Sequence, residues 1–126
     1  MTQSEKARAF AALHVPGRPV ILYNVWDAGS AKAVAEGGAK ALATGSASVA
    51  AANGFGDAEG LPLELALANA GRVVAAVEIP VTIDFEGAYA AEPEGAAANV
   101  AKLAATGAIG CNFEDQVVGG ARISRT

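Results

Sequence analysis

Hydrophobic and polar positions along the chain alternate between two periods, and the alternation predicts strands and helices in turn. Four short runs predict strands: "VILYNVWDAG", "AKALATGSA", "IPVTIDFEGAYA" and "AIGCNFED". Four runs with apolar residues at helical spacing predict helices: "SEKARAFAALH", "SAKAVAEGG", "LELALANAGRVVAAV" and "PEGAAANVAKLAATG". The second strand is expected to run into a loop of small residues. "ANGFGDAEGLP" is expected to be a turn-rich loop, and "QVVGGARISRT" a loop-like tail.

Strands that alternate with helices over short connections are typical of a parallel sheet covered by helices, so the expected fold class is α/β. The functional end of such a sheet is the carboxyl end of its strands. Polar residues follow all four predicted strands at that end: Asn24 and Asp27, Thr44 to Ser48, Asp84 and Glu86, and Asn112 and Glu114. This convergence predicts a functional site there.

The third predicted strand places Asp84 and Glu86 two residues apart, a spacing at which a strand points both side chains the same way. Ile83 and Phe85 then take the opposite face. If Phe85 packs against the helices, both carboxylates point away from the helix layer.

The same alternation on the fourth strand separates Asn112 and Glu114 from Cys111 and Phe113. If Phe113 also packs against the helices, Glu114 meets the two acids of the third strand. Gathering such charges in a recess costs several kcal/mol for each uncompensated charge. Either protons or a cation would offset that cost, and for a cation an all-oxygen ligand set favours Mg²⁺ or Mn²⁺ over zinc.

Composition narrows the class of protein. The chain has 126 residues, 52% of them apolar, which is enough for one domain with a core. Its net charge is −4 and its nine Lys and Arg residues are scattered, which argues against nucleic-acid binding. No apolar run reaches the roughly 18 residues of a membrane span. The single cysteine, Cys111, predicts a reducing cytoplasm and is interpreted as strand packing.

Four segments, "NVWDAGSA", "ATGSASVAAANGFGD", "VTIDFEGAYA" and "GCNFED", together resemble the isocitrate lyase/phosphoenolpyruvate mutase superfamily, especially its 2-methylisocitrate lyase-like and carboxyphosphonoenolpyruvate mutase-like members. The resemblance implies a parallel (β/α) barrel of the TIM type with Mg²⁺ at its mouth. It implies an enzyme that makes or breaks a C–C or P–C bond next to a small 2-oxo or 2-hydroxy carboxylate. We also expect a homo-oligomer.

Carried over by position, the resemblance makes Asp84 the direct metal ligand, with Glu86 and Glu114 holding metal-bound waters. Asp57 matches a catalytic loop acid near the metal. The backbone of Gly45, Ser46 and Ala47 matches the loop that receives the substrate carboxylate, and Trp26 and Asn112 are expected to line the substrate site. No general base is identified.

Simpler interpretations stay open for several of these residues. Asp57 lies in a Gly-rich turn, where an acid is ordinary. Asp27 equally suits the cap of the helix that begins near Ser30. Ser46 suits a loop of small residues, and Glu114 suits a helix-capping pair with Asp115.

The chain has about four βα units, whereas a closed barrel of this family generally needs more than about 200 residues. We therefore expect residues 1–126 to form a single domain, the N-terminal half of such a barrel. A truncated chain, a half-barrel that pairs with a second copy, and an open sheet all fit this length. An isolated half is expected to expose an edge strand and an apolar inner face. Three functions likewise stay open: an active lyase or mutase, an inert relative that binds metal and carboxylate, and a unit that assembles with another chain.

Overall fold

A computed structural model describes residues 1–118 of the chain. In that part the chain forms five helices and four strands: α1 (Gln3–Ala12), β1 (Tyr23–Val25), α2 (Ala28–Glu36), β2 (Leu42–Thr44), α3 (Ser46–Ala52), α4 (Leu63–Ala76), β3 (Val81–Asp84), α5 (Pro93–Ala104) and β4 (Gly110–Asn112). The longest helix, α4, has 14 residues. Among residues 1–118 no helix is long and apolar enough to cross a membrane.

The four strands form one parallel sheet in the order β1-β2-β3-β4, as the alternation of strands and helices predicts. Asn24 pairs with Ala43, Ala43 with Thr82, and Asp84 with Asn112. β3 therefore has a partner on each side, whereas β1 and β4 each have one partner in the described chain. The strands are three or four residues long, shorter than the runs that predict them.

The core lies between the sheet and the helices. β3 contributes Val81 and Ile83, and the adjoining Phe85 is only 2% exposed. Leu42 from β2 and Val73 from α4 are fully buried beside them. Burying each such side chain stabilises the fold by about 1.5–3 kcal/mol. This layer confirms that Ile83 and Phe85 pack on the helix side of the sheet.

The opposite face of the sheet is polar or made of small residues. By the alternation of the strands, Asn24, Ala43, Thr82, Asp84 and Asn112 lie on this face, and all of them are at least partly exposed. The expectation of an apolar inner face is therefore wrong for the described strands. The apolar residues of these strands are used on the helix side instead.

Helix α3 corrects the prediction of a small-residue loop after β2. Gly45 is the N-cap, in an extended conformation, and Ser46 begins the helix directly after it. Val49 and Ala50 are buried in a small second cluster with Leu61. Tertiary packing thus makes this segment helical, although its Ser and Ala residues show no clear helical or strand period.

Asp27 caps helix α2. Its side chain accepts a hydrogen bond from the Ser30 N–H at 2.7 Å, and the Ser30 hydroxyl accepts from the Asp27 N–H at 3.1 Å. The Ser30 backbone donor lowers the pKa of Asp27 below its ordinary range. The capping interpretation of Asp27 is confirmed.

Candidate active site

Asp84 ends β3 and is bonded to both neighbouring strand ends. Its Oδ2 accepts from the backbone N–H of Ser46 at 3.0 Å, and its Oδ1 accepts from Asn112 Nδ2 at 3.2 Å. The Asp84 N–H donates to the buried Thr44 hydroxyl at 3.2 Å. Three of the predicted site residues, Asp84, Ser46 and Asn112, therefore lie together at the carboxyl ends of β2, β3 and β4.

Glu86 lies beyond β3, in a turn, and its φ is +52°. Its Oε1 accepts from the Glu59 N–H at 2.8 Å, and its Oε2 accepts from the Tyr89 hydroxyl at 3.0 Å. β3 ends at Asp84, so the two-residue period of the strand does not reach Glu86, yet Asp84 and Glu86 line one small cavity with Ser46. Partial burial, opposed by these two donors, raises the pKa of Glu86.

The turn after Glu86 is supported from helix α5. Ala88 and Tyr89 both have positive φ, 58° and 53°, which non-glycine residues rarely adopt. Asn99, 8% exposed, donates from Nδ2 to the carbonyl oxygens of Ala88 at 2.9 Å and Tyr89 at 3.2 Å. Burial, followed by the charge of Glu86, raises the pKa of Tyr89.

Sequence reasoning missed Tyr89, Asn99 and Glu59. The sequence does indicate that Asn99 is buried, because Asn99 lies three residues after Ala96 and four before Leu103, on the apolar face of its helix. A buried asparagine there needs a partner. Glu59 has no comparable sign within its turn-rich loop.

A cavity of about 250 Å³ adjoins Ser46, whose backbone N–H donates to Asp84. It is lined by Ser46, Asp57, Ala58, Glu86, Glu114, Gln116 and Val118. Three of the four predicted acids, Asp57, Glu86 and Glu114, thus border one space. Asp84 itself lines a smaller cavity of about 20 Å³, which shares Ser46 and Glu86 with the larger one.

The end of β4 is open. Glu114 is exposed; its N–H donates to the Glu86 carbonyl at 2.7 Å, and its carboxylate accepts from Gln116 Nε2. Phe113 is 44% exposed, so the expectation that it packs against the helices is wrong. β4 is an edge strand in the described chain.

The remaining predicted residues, Trp26, Gly45 and Ala47, follow β1 or begin α3, and neither of the two cavities at the site is lined by them. Trp26 is 44% exposed, and its carbonyl accepts from the buried Asn69 at 3.1 Å. At Gly45 an added Cβ would lie 3.2 Å from Asn24 Nδ2, so this position favours glycine for its close approach. Ala47 is exposed in the first turn of α3.

Cys111 is half-buried in β4, and burial raises the pKa of its thiol. The thiol therefore stays protonated at neutral pH. The packing interpretation fits this environment.

No group of three His, Cys, Asp or Glu side chains within residues 1–118 is arranged to hold an ion directly. The donors are nonetheless suited to one kind of metal. Mg²⁺ prefers oxygen ligands and keeps several waters, so one direct carboxylate is sufficient. Asp84, bonded to Ser46 of a cavity bordered by Asp57, Glu86 and Glu114, offers that combination.

A family model described as phosphoenolpyruvate phosphomutase matches residues 10–125. A candidate phosphonomutase from Burkholderia cenocepacia J2315 is 50% identical, with a TM-score of 0.85 over 90% of this chain and 44% of its own. A candidate lyase/mutase from the same organism is 37% identical, with a TM-score of 0.82 over 90% of this chain and 40% of its own. No curated protein matches the chain.

The structure of 2,3-dimethylmalate lyase, described as a member of the PEP mutase/isocitrate lyase superfamily, is 25% identical, with a TM-score of 0.79 over 96% of this chain and 43% of its own. The chain therefore spans less than half the length of these relatives. Together with the parallel sheet, these likenesses confirm the predicted fold class, four βα units of a parallel (β/α) barrel.

Proposed function

The chain belongs to the phosphoenolpyruvate phosphomutase family, and from that premise we propose that it acts as a Mg²⁺- or Mn²⁺-dependent lyase or mutase on a small 2-oxo or 2-hydroxy carboxylate. The bond made or broken is C–C or P–C, next to the carboxylate. The observation that carries the proposal is that Asp84 is bonded to Asn112 and to Ser46, and that Ser46 lines a cavity bordered by three further acids.

Asp84 is the residue proposed to bind the ion directly. Glu86 and Glu114 would bind through metal-held waters, and Asp57 would complete the acidic border as a catalytic loop acid. A cavity of about 250 Å³ leaves room for such waters. When bound, the ion would supply Lewis-acid stabilisation of an enolate formed next to the carboxylate.

The first turn of α3 is proposed to receive the substrate carboxylate. Helix-start N–H groups lack intrahelical partners, and the small residues Gly45, Ser46 and Ala47 let a ligand approach the backbone. Because the Ser46 N–H already donates to Asp84, the substrate carboxylate would accept from the neighbouring N–H groups of this turn. Asn112 would orient the ligand from β4, and Trp26 would form a wall of the site. These groups orient the substrate and require no proton transfer.

The test is calorimetric titration of the full chain with Mg²⁺ and oxalate, a mimic of an enolate. Asp84→Ala should weaken binding at least about 100-fold, because it removes the direct ligand and the bonds that fix the strand ends. Glu78→Ala, an exposed acid in the turn before β3, is the matched control and should bind as the wild type does. Unchanged binding by Asp84→Ala contradicts the proposal.

Turnover is tested separately, by release of pyruvate from 2-methylisocitrate-like or oxaloacetate-like substrates. Binding of oxalate without turnover would favour the second candidate, an inert relative or an assembly unit. Sedimentation would then show whether copies associate into the proposed homo-oligomer.

We propose a cytoplasmic location for the protein.

A further inference from the structure

Two loops at the site hold each other through reciprocal hydrogen bonds. The Glu59 N–H donates to Glu86 Oε1 at 2.8 Å, and the Gly87 N–H donates to Glu59 Oε1 at 3.0 Å. Each carboxylate thus accepts from the backbone of the loop that carries the other. We call Glu59 and Glu86 the reciprocal pair.

The fit of this pair depends on the absence of a side chain at Gly87. A Cβ built there would lie 2.6 Å from Glu59 Oε1, closer than such atoms approach. Gly87 is buried, so the Glu59 carboxylate reaches its N–H inside the structure rather than at the surface.

The loop that carries Glu59 is held in a costly conformation. Ala58 and Glu59 have φ of 62° and 59°, and two successive non-glycine residues in the left-handed region are unusual. Such a backbone persists where surrounding contacts over-determine it. The two hydrogen bonds of the reciprocal pair are contacts of this kind.

Asp57 lies two residues before Glu59 and borders the same cavity as Glu86. We infer that Glu59 is a positioning residue, which fixes the Asp57 loop and the Glu86 carboxylate relative to each other across the cavity. The loop contact itself is independent of any ligand. Its consequence for binding rests on the proposed function.

Three variants separate positioning from general stability. Glu59→Gln keeps an Oε1 acceptor for the Gly87 N–H, whereas Glu59→Ala removes it. Gly87→Ala places a methyl group where Glu59 Oε1 lies and breaks the same bond from the other side. Glu78→Ala is the control, because it removes an exposed acid outside the site.

The first measurement is amide hydrogen exchange across residues 57–60 and 87 in the full chain, without added ligand. Glu59→Ala should speed exchange at these amides about tenfold or more, while Glu59→Gln and Glu78→Ala stay near the wild type. Unchanged exchange in Glu59→Ala overturns the inference. This readout requires no binding, so it is decided even if the proposed function fails.

The second measurement is the Mg²⁺–oxalate dissociation constant. Glu59→Ala and Gly87→Ala should raise it about 10- to 100-fold, the range expected when a group that orients a ligand-binding residue is lost. Glu59→Gln should restore it to within about threefold. Wild-type affinity in Glu59→Ala, or an equal loss in Glu59→Gln, overturns the positioning role. Absence of binding by the wild type itself contradicts the proposed function alone.

Discussion

The ends of β3 and β4 carry similar residues but differ in how those residues are held. At β3, Asp84 has partners from both neighbouring strand ends, and Glu86 accepts from Glu59 and Tyr89. At β4, Glu114 is exposed, and its carboxylate accepts a hydrogen bond from Gln116 Nε2. Hydrogen bonds from neighbouring elements therefore fix the carboxylates at the end of β3, whereas the carboxylate at the end of β4 is exposed to solvent.

The cause of this difference is the place of each strand in the sheet. β3 has neighbours on both sides, which supply backbone and side-chain donors from either direction. β4 has one neighbour in the described chain, so its end faces solvent. Acidic residues acquire a defined geometry where adjoining elements surround them, and a strand position alone does not provide it.

The largest expected effect separates the two phenylalanines at these ends. Phe85→Ala should lower the free energy of unfolding by about 3–5 kcal/mol, because Phe85 is 2% exposed in the core. Phe113→Ala should lower it by less than about 1 kcal/mol, because Phe113 is already 44% exposed. Denaturant titration of both variants measures the contrast. Equal losses would mean that the two strand ends are equally packed.

Asn99→Ala is expected to have the next largest effect. It leaves the carbonyl oxygens of Ala88 and Tyr89 without their buried donor, at a cost of about 1–3 kcal/mol. Asn112→Ala, on the exposed β4 end, is the matched control and should cost less than about 1 kcal/mol. Thermal unfolding of both variants decides this. A loss at Asn99 no greater than the loss at Asn112 would contradict the supporting role given to Asn99.

The pH dependence of stability should report the burial of Glu86. Its pKa is raised above the ordinary value of 4.5, so the folded state favours the protonated form. The contribution of Glu86 to stability is therefore complete below its unfolded pKa and is lost as pH rises through its folded pKa. Relative to Glu86→Gln, which does not titrate, the wild type should lose stability as the pH rises above the ordinary pKa of 4.5.

Denaturant titrations at several pH values measure this difference. Phe113→Ala keeps every titratable group, and its profile should run parallel to that of the wild type. A wild-type profile parallel to that of Glu86→Gln would rule out an effect of burial on Glu86.

The smallest expected effect is at Glu114. Glu114→Gln keeps the size of an exposed side chain and should change the free energy of unfolding by less than about 0.5 kcal/mol. Denaturant titration is the measurement. A loss above about 1 kcal/mol would show that the β4 end is held more firmly than its exposure indicates.

The sequence predicts the parallel sheet and the place of Asp84 because both depend on local periods and on strand order. The alternation of strand and helix determines the first, and the two-residue period of β3 determines the second. Helix α3 was missed because Ser and Ala residues after Gly45 have no period of their own. The turn at Glu86 was missed because a left-handed conformation at a glutamate is rare and follows no pattern in the residues.

Phe113 was misplaced for a different reason. The alternation along a strand predicts which side a residue faces, but not whether anything covers that side. Whether a side chain is buried depends on which elements pack against the strand. The residue pattern of the strand itself does not contain that information. The binding of a metal by Asp84, Glu86 and Glu114 stays a prediction. Whether these three side chains meet depends on the loops that follow the strands, and the pattern of a strand does not describe those loops.

The bond from the Ser46 N–H to Asp84 joins residues 38 positions apart, and the bond from Asn112 joins residues 28 apart. Closing such long segments loses chain entropy before any contact is gained. Asp84 can therefore reach its partners only after three strands have aligned, which makes it one of the last groups to be ordered as the chain folds. The amide resonance of Ser46 should accordingly serve as a one-residue indicator of sheet assembly, shifting in any variant that disturbs the alignment of β2 with β3 while the helices remain intact.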